Sequence, residues 1–237
     1  MPGVMFVTNP FVGRIAQKYD RWYQTPWGAW AEGCEWRLFE RMATPEAGEI
    51  VVDVGCGTGR GVAQLARAGC QVVGVDVSGD MLAVARQRLE EEGLAAWLVL
   101  ADATELPLQK ASADLVYSTT MLEFVPEPAK ALREMGRVAR GRVFVGVLGR
   151  WSLMALYERL TRSGGPLDQA HFFTPPELLR LAAQALPGWS LQLRTALVGY
   201  PFSGSVGAGL ARGAEALHCP LSPLGGYLGL IARRPTQ

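Results

Sequence analysis

This 237-residue sequence predicts a doubly wound α/β fold, a mostly parallel sheet with helices on both faces. Three observations carry that expectation. From about Glu49 onward, short β-branched runs alternate with segments of helical periodicity. The runs are apolar at consecutive positions, as strands covered on both faces are. A glycine-rich turn, "GCGTG", directly follows the first run, where such sheets receive ligands.

The elements follow in order. "EIVVDV" reads as the first strand, and "GRGVAQLARAG" as a helix with Val62, Leu65 and Ala66 on one side and Gly69 as its stop. "QVVGVDV" is the second strand. "SGDMLAVARQRLEEEG" is a helix capped by Ser78, with Met81, Leu82, Ala85 and Leu89 as its stripe and Gly93 at its end. "AAWLVLAD" and "ADLVYS" are strands three and four, "PAKALREMGRVAR" a helix opened by proline, and "RVFVGVL" strand five. Right-handed crossovers make these strands parallel. In the last third, "WSLMALYERLTR" and "PPELLRLAAQAL" read as helices. "WSLQLRTALVGY" and "GYLGLIARR" read as two further strands that pair as a hairpin-like edge, the last of the seven running antiparallel. A short helix is expected at about 208–218. Before the sheet, Tyr19, Trp22, Tyr23, Trp27, Trp30 and Trp36 make an aromatic, partly helical segment. Most of these side chains are expected to pack, and one or two to line a pocket.

Composition narrows the function. Hydrophobic residues make up 49%, enough for a sizeable core, and 23 basic residues nearly cancel 22 acidic ones. Twenty of the basic residues are Arg, and Lys occurs only at 18, 110 and 130. No electrostatic footprint for nucleic acid or an acidic membrane surface is visible. No apolar run reaches the ~18 residues of a membrane span, and no basic leader precedes the short apolar start, so a cytoplasmic protein is expected. Cys34, Cys56, Cys70 and Cys219 form no C-x-x-C pair. With His171 and His218 as the only histidines, a metal site is not expected.

The glycine turn carries the chemistry. A dinucleotide fingerprint needs its third glycine three residues after the second, and that position is Arg60. The spacing is instead Asp53-x-Gly55-x-Gly57-x-Gly59, which lets a backbone run against a ligand without seating a pyrophosphate at a helix N-terminus. Asp76 ends strand two, where a carboxylate accepts from a pair of ribose hydroxyls. Asp102 follows strand three, placed to accept from an exocyclic amine. Asp53 precedes the turn, available to orient the loop or an ammonium group.

With these residues in view, "DVGCGTG", "GVDVSGDMLAVAR", "ADATELPL" and "ADLVYSTTMLEFVPEPAKALREMGRVAR" match in order and spacing the motifs of one family. The segment 49–150 resembles a class I S-adenosylmethionine-dependent methyltransferase, near the ubiquinone/menaquinone-biosynthesis group. The resemblance implies a Rossmann-like single domain over 1–237: an N-terminal helical lid segment (1–45), a cofactor-binding core (46–150), and substrate-side helices and final strands (151–237). It implies S-adenosylmethionine as cofactor and S-adenosylhomocysteine as product. Gly55, Gly57 and Gly59 would approach the methionyl and ribose parts, with Cys56 a small spacer, and Asp76 would hold the ribose diol. Val77 and Met81 would sandwich adenine, Asp102 with the Ala103 amide would read its edge, and Ser118 to Met121 would line the reaction side. Met81 is equally explained as a core helix residue, and Cys56 needs no chemistry. Two departures stand out. The Lys-Pro-Gly-Gly turn common before strand five is shortened to "RVARGRVFV", and Glu123 replaces the frequent His or Cys.

Methyl transfer to an N–H or O–H acceptor gains from a base. Glu123 and His171 are the candidates, against a solvated loop residue in the one case and a partner of the helix capped by Thr174 in the other. His218 is assigned to structure. Tyr19 and Trp22 are expected to face the sulfonium, because aromatic faces attract cations. The leading reading is a methyltransferase for a small-molecule acceptor, partly apolar. The alternatives are a cofactor-binding domain with a regulatory or scaffolding role, and an NAD-type oxidoreductase, which Arg60 and Asp102 disfavour.

Overall fold

In the computed structural model, residues 13, 20–152, 155–156, 166–197 and 225–235 are described. Helix α1 (Pro26–Ala43) precedes β1 (Ile50–Val54), α2 (Arg60–Arg67), β2 (Gln71–Asp76), α3 (Gly79–Glu91), β3 (Trp97–Leu100) and β4 (Ala113–Thr119). A 3-10 turn at Leu122–Phe124 leads to α4 (Pro128–Val138), β5 (Ala139–Leu148), α5 (Pro175–Ala185), β6 (Ser190–Ala196) and β7 (Tyr227–Arg233). Tyr19, the expected helix at 208–218, His218, Cys219 and most of "WSLMALYERLTR" lie outside the described residues.

The sheet has seven strands in the order β3-β2-β1-β4-β5-β7-β6. Strands β1 to β5 pair in parallel, and β7 runs antiparallel to both β5 and β6. The last strand is thus antiparallel, as the pattern predicts. The two final strands pair antiparallel as the expected hairpin-like edge, with β7 inserted between β5 and β6, so β6 is the outer strand. Its composition agrees, since every residue of "YLGLIA" is buried while β6 alternates. Strand β3 is the other edge and is shorter than "AAWLVLAD" implies. Trp97 and Leu100 there are exposed because no described strand pairs with that edge.

Side chains alternate between two core layers, as the period of a strand requires. Val51, Leu115 and Tyr117 face α1, α2 and α3, packing with Phe39, Leu65 and Leu82. Val52, Val54 and Val116 face the opposite way, onto Leu132 and Met135 of α4 and Leu178 of α5. The helix ends follow local chemistry. The Ser78 hydroxyl accepts from the Met81 amide, and Thr174 and Glu177 form a reciprocal capping box at α5. Helix α4 stops at Val138 and β5 starts at Ala139, so the shortened turn leaves no linker at all. Helix α1 lies across β5, β7 and β6, with Phe39 stacked 4.7 Å from Tyr117 and 5.2 Å from Phe144. No helix among the described residues is long and apolar enough to cross a membrane.

Candidate active site

Strand order reverses between β1 and β4, and their C-terminal ends open a crevice there. The glycine turn forms its floor, with Gly55, Gly57 and Gly59 all at positive φ (78°, 52° and 75°). The three differ in what they meet. A Cβ at Gly55 would overlap Met121, whereas one at Gly57 would meet nothing within 4 Å and would project into open cleft. Gly59 lines no cleft. It caps α2, and a Cβ there would stand 2.8 Å from that of Ala85 on α3. Its need for glycine is this positive φ together with helix packing.

Two clefts meet over this turn. The first is lined by Asp76, Val77, Met81, Asp102, Ala103 and Met121, among others. The Asp76 carboxylate accepts from the Gly57 and Ser78 amides, both at 2.8 Å, which ties the end of β2 to the turn. Burial pushes this carboxyl up, and the hydrogen bonds from Ser78, Gly57 and Val77 oppose the shift. Asp102 is exposed at the far end, accepting from the Thr104 amide at 2.7 Å. The cleft is polar at two ends and apolar between.

The second cleft shares Gly55, Gly57, Thr119 and Thr120 with the first and runs under α1 past Tyr23, Glu35, Trp36, Asp53 and Tyr117. Tyr117 donates to Asp53 at 2.7 Å, both buried. Burial is the main cause that raises the Asp53 carboxyl to about 7; the Tyr117 bond lowers it and nearby Asp76 raises it. Cys56 is buried on the same wall, its thiol pushed up by burial and by Asp53 and Asp76, so it is no thiolate nucleophile. Glu35 is raised to about 8 by burial, Glu32 and Glu123, and Glu123 to about 7, chiefly by burial.

These three raised carboxyls set a pH dependence. The folded chain holds protons that the unfolded chain has released, so their stabilisation is complete below the ordinary carboxylate range of about 4. It is lost as pH rises through about 7 for Asp53 and Glu123 and about 8 for Glu35. Even ~1 kcal/mol retained from them lowers the melting temperature by about 2–4 °C between about pH 5.5 and pH 8.5. Differential scanning calorimetry across that range, with Asp53→Asn flattening the profile, tests this; a profile that rises with pH would contradict it.

The N-terminal segment is anchored over the turn by ion pairs. Glu32 receives a bidentate contact from Arg60, whose guanidinium lies 4.7 Å from the Tyr23 ring. Asp20 pairs with Arg88 and accepts from the Thr58 hydroxyl at 2.7 Å. Trp22, expected over the reaction centre, is 43% exposed and lines neither cleft; its neighbour Tyr23 does, with Trp36.

The remaining candidates stand apart. Ser118 is buried beside the cleft residues Thr119 and Thr120, and its hydroxyl has no hydrogen-bond partner among the described residues. Glu123 is buried behind the cleft wall. Its Oε1 accepts from the Leu148 amide at 2.6 Å, and Oε2 has no partner among the described residues. His171 lies on the surface, its Nε2 2.8 Å from Glu177 and 3.2 Å from Arg150, outside both clefts. This is the helix-partner alternative for His171. Sequence reasoning missed Glu35 and Tyr117. Tyr117 was detectable as an even-spaced partner of Leu115 on one strand face, while Glu35 left no local signal.

Residues 52–145 match the family described as Methyltransferase domain. That segment is similar to a methyltransferase domain. The domain is similar to a ubiquinone biosynthesis O-methyltransferase of Methylococcus capsulatus, 37% identical over 155 residues that cover 61% of this chain and 65% of that protein. It is also similar to a demethylmenaquinone methyltransferase of Clavibacter sepedonicus, 41% identical over 46% of each chain. The chain spans less than two thirds of the length of these curated relatives. A methyltransferase structure from Thermotoga maritima superposes with a TM-score of 0.69 at 23% identity, over 94% of this chain and 97% of the other, and shares its fold.

The first cleft fits S-adenosylmethionine on two structural grounds. The space above Gly57 admits a ligand where any side chain would intrude. The Asp76 carboxylate, with two amides bound, keeps lone pairs free to accept from ribose hydroxyls. Asp102 and Ala103 stand at the other end for the adenine edge, with Val77 and Met81 between. The methionyl part would follow Gly55 and Gly57 toward the second cleft.

Proposed function

We propose that the protein transfers a methyl group from S-adenosylmethionine, which would span the two clefts, to a small-molecule acceptor. One observation carries this reading: the two clefts meet at Gly55, Gly57, Thr119 and Thr120, so a cofactor with its adenosine in the first and its methionyl part in the second would have its sulfonium at their junction. When bound, the cofactor supplies a methyl carbon on a sulfonium, with the C–S electron pair departing on sulfur. The chain's own contribution is alignment and exclusion of water. Asp76 and Asp102 anchor the two ends of the first cleft, and Tyr23, Trp36 and Tyr117 wall the second against solvent. Neither Glu123 nor His171 lines the space where the reacting atoms meet, so positioning carries more of the rate here than either side chain as a base. The buried thiols Cys56 and Cys70, neither in a disulfide, support a place in a reducing compartment such as the cytoplasm.

The test separates this reading from its rivals. S-Adenosylhomocysteine at about a hundred times its dissociation constant stabilises the native state by about 2.7 kcal/mol. That corresponds to a melting-temperature rise of about 5–10 °C. NAD and NADP at the same concentration are expected to do little, because Arg60 occupies the third-glycine position and is paired with Glu32. The reverse pattern would place the protein among oxidoreductases. Stabilisation by S-adenosylhomocysteine with no conversion of S-adenosylmethionine to S-adenosylhomocysteine on a panel of acceptors would favour a regulatory binding domain.

A further inference from the structure

We propose that Arg88, which lines neither cleft, is a positioning residue for the cofactor: its guanidinium bridges the glycine turn to Asp20 and so holds the second cleft in shape around the methionyl part. The inference rests on the cofactor reading above. Three groups close a ring beside the turn. Arg88 of α3 donates from Nε to the Thr58 carbonyl at 2.9 Å and from Nη2 to Asp20 Oδ2. The Thr58 hydroxyl donates to the other Asp20 oxygen at 2.7 Å. The ring is sheltered, with Thr58 2% exposed and the Arg88 and Asp20 side chains 21% and 19% exposed. An ion pair in such a place is screened less than one on the open surface.

The turn needs such a hold. Gly57 and Gly59 flank Thr58, both at positive φ, and glycine backbone leaves that shape at little steric cost. Asp76 fixes Gly57 from the end of β2, while Arg88 and Asp20 hold Thr58, which itself lines the second cleft. The other end of the clamp acts on the chain before α1. Asp20 pairs with Arg88, and Glu32 pairs with Arg60 directly after the turn. Tyr23, another lining residue of the second cleft, lies between these two anchors in the chain, its ring 4.7 Å from the Arg60 guanidinium. Removing Arg88 frees one anchor and the Thr58 carbonyl together, so floor and wall of the second cleft loosen at once. The first cleft keeps its own polar ends, Asp76 and Asp102. The cost therefore falls on the methionyl part. An arginine suits the task, because its planar fork serves two acceptors at fixed angles where an ammonium is a point charge.

Calorimetric titration of the full chain, direct and by competition, separates positioning from scaffolding. Its probes are S-adenosylhomocysteine, which would span both clefts, and 5′-methylthioadenosine, which lacks the amino-acid part and would fill the first. Arg88→Ala is expected to weaken S-adenosylhomocysteine by about tenfold or more. It is expected to leave 5′-methylthioadenosine within about threefold of wild type, which also shows that the variant folds. Asp20→Ala is expected to lose about threefold or more for S-adenosylhomocysteine, and the double variant no more than about twofold beyond Arg88→Ala, because the two share one contact. Arg88→Lys is expected to recover part of the loss, since one ammonium pairs with Asp20 without bridging to Thr58. Unchanged S-adenosylhomocysteine affinity, equal losses for the two ligands, or losses that multiply in the double variant would overturn the proposal. An Arg88→Ala chain that does not fold, beside an Asp20→Ala chain of wild-type affinity, would also overturn it by making Arg88 a part of the scaffold. If the wild-type chain binds neither ligand, the cofactor reading falls and Arg88 with it; if it binds both and the variants match it, only Arg88 falls.

Discussion

Replacing Asp76 by alanine is expected to weaken S-adenosylhomocysteine binding by about ten- to hundredfold, roughly 1.5–3 kcal/mol. The side chain does two things at once. Its carboxylate lines the first cleft, and it holds the Gly57 and Ser78 amides at 2.8 Å each. Alanine therefore leaves ribose hydroxyls without a charged acceptor and also releases the turn from the end of β2. The apo protein should melt lower as well, because two amides lose their partner. Asp76→Asn keeps one acceptor oxygen and should fall between wild type and alanine in both respects. Calorimetric titration beside an apo melt reads the two effects separately. Unchanged affinity in the alanine variant would remove Asp76 from the cofactor site.

Gly61→Ala is expected to destabilise the protein by about 1–3 kcal/mol, opposite in sign to the usual effect of this change inside a helix. Gly61 sits in the first turn of α2 with ordinary helical geometry, so backbone freedom is not the reason for glycine. The reason is contact. A Cβ there would overlap the Tyr117 hydroxyl and stand 3.1 Å from the Asp53 Oδ2 that accepts its proton. Tyr117→Phe alone removes a buried donor from Asp53, at about 1 kcal/mol. It also removes the overlapping atom and leaves the ring carbon and Asp53 Oδ2 at 3.1 Å, so Gly61→Ala added to Tyr117→Phe should cost less than on the wild-type background. A double-mutant cycle in denaturant should then show coupling above about 1 kcal/mol. Additive costs would mean that the helix shifts away from β4 instead of pressing on the hydroxyl.

The cycle also shows why one glycine could be read and another could not. Gly55 and Gly57 carried their meaning locally: a strand, then positive-φ positions, then a helix, all within "VVDVGCGTGR". Asp76, Met81 and Asp102 were legible for the same reason, because the ends of neighbouring parallel strands must come together once the alternation of strand and helix is recognised. Gly59 and Gly61 look alike in the sequence, yet their partners are Ala85 on another helix and Tyr117 on another strand. Sequence spacing holds no record of such contacts.

The regular part of the chain, β1 to β5 with its turn and first cleft, was set by short-range patterns of apolar residues, caps and glycines. Tertiary structure decided the rest. It inserted β7 between β5 and β6, making β6 the edge. It turned Glu123 behind the cleft wall and left His171 on the surface beside Glu177. It brought Glu35 and Trp36 of α1 over the crevice, because α1 crosses the sheet at an angle fixed by Phe39 against Tyr117 and Phe144. A helix advances about 100° per residue, so which side chain faces a cleft depends on the rotation of the whole helix against its sheet. That rotation is set by packing between residues far apart in the chain, and so the second cleft became visible only in three dimensions.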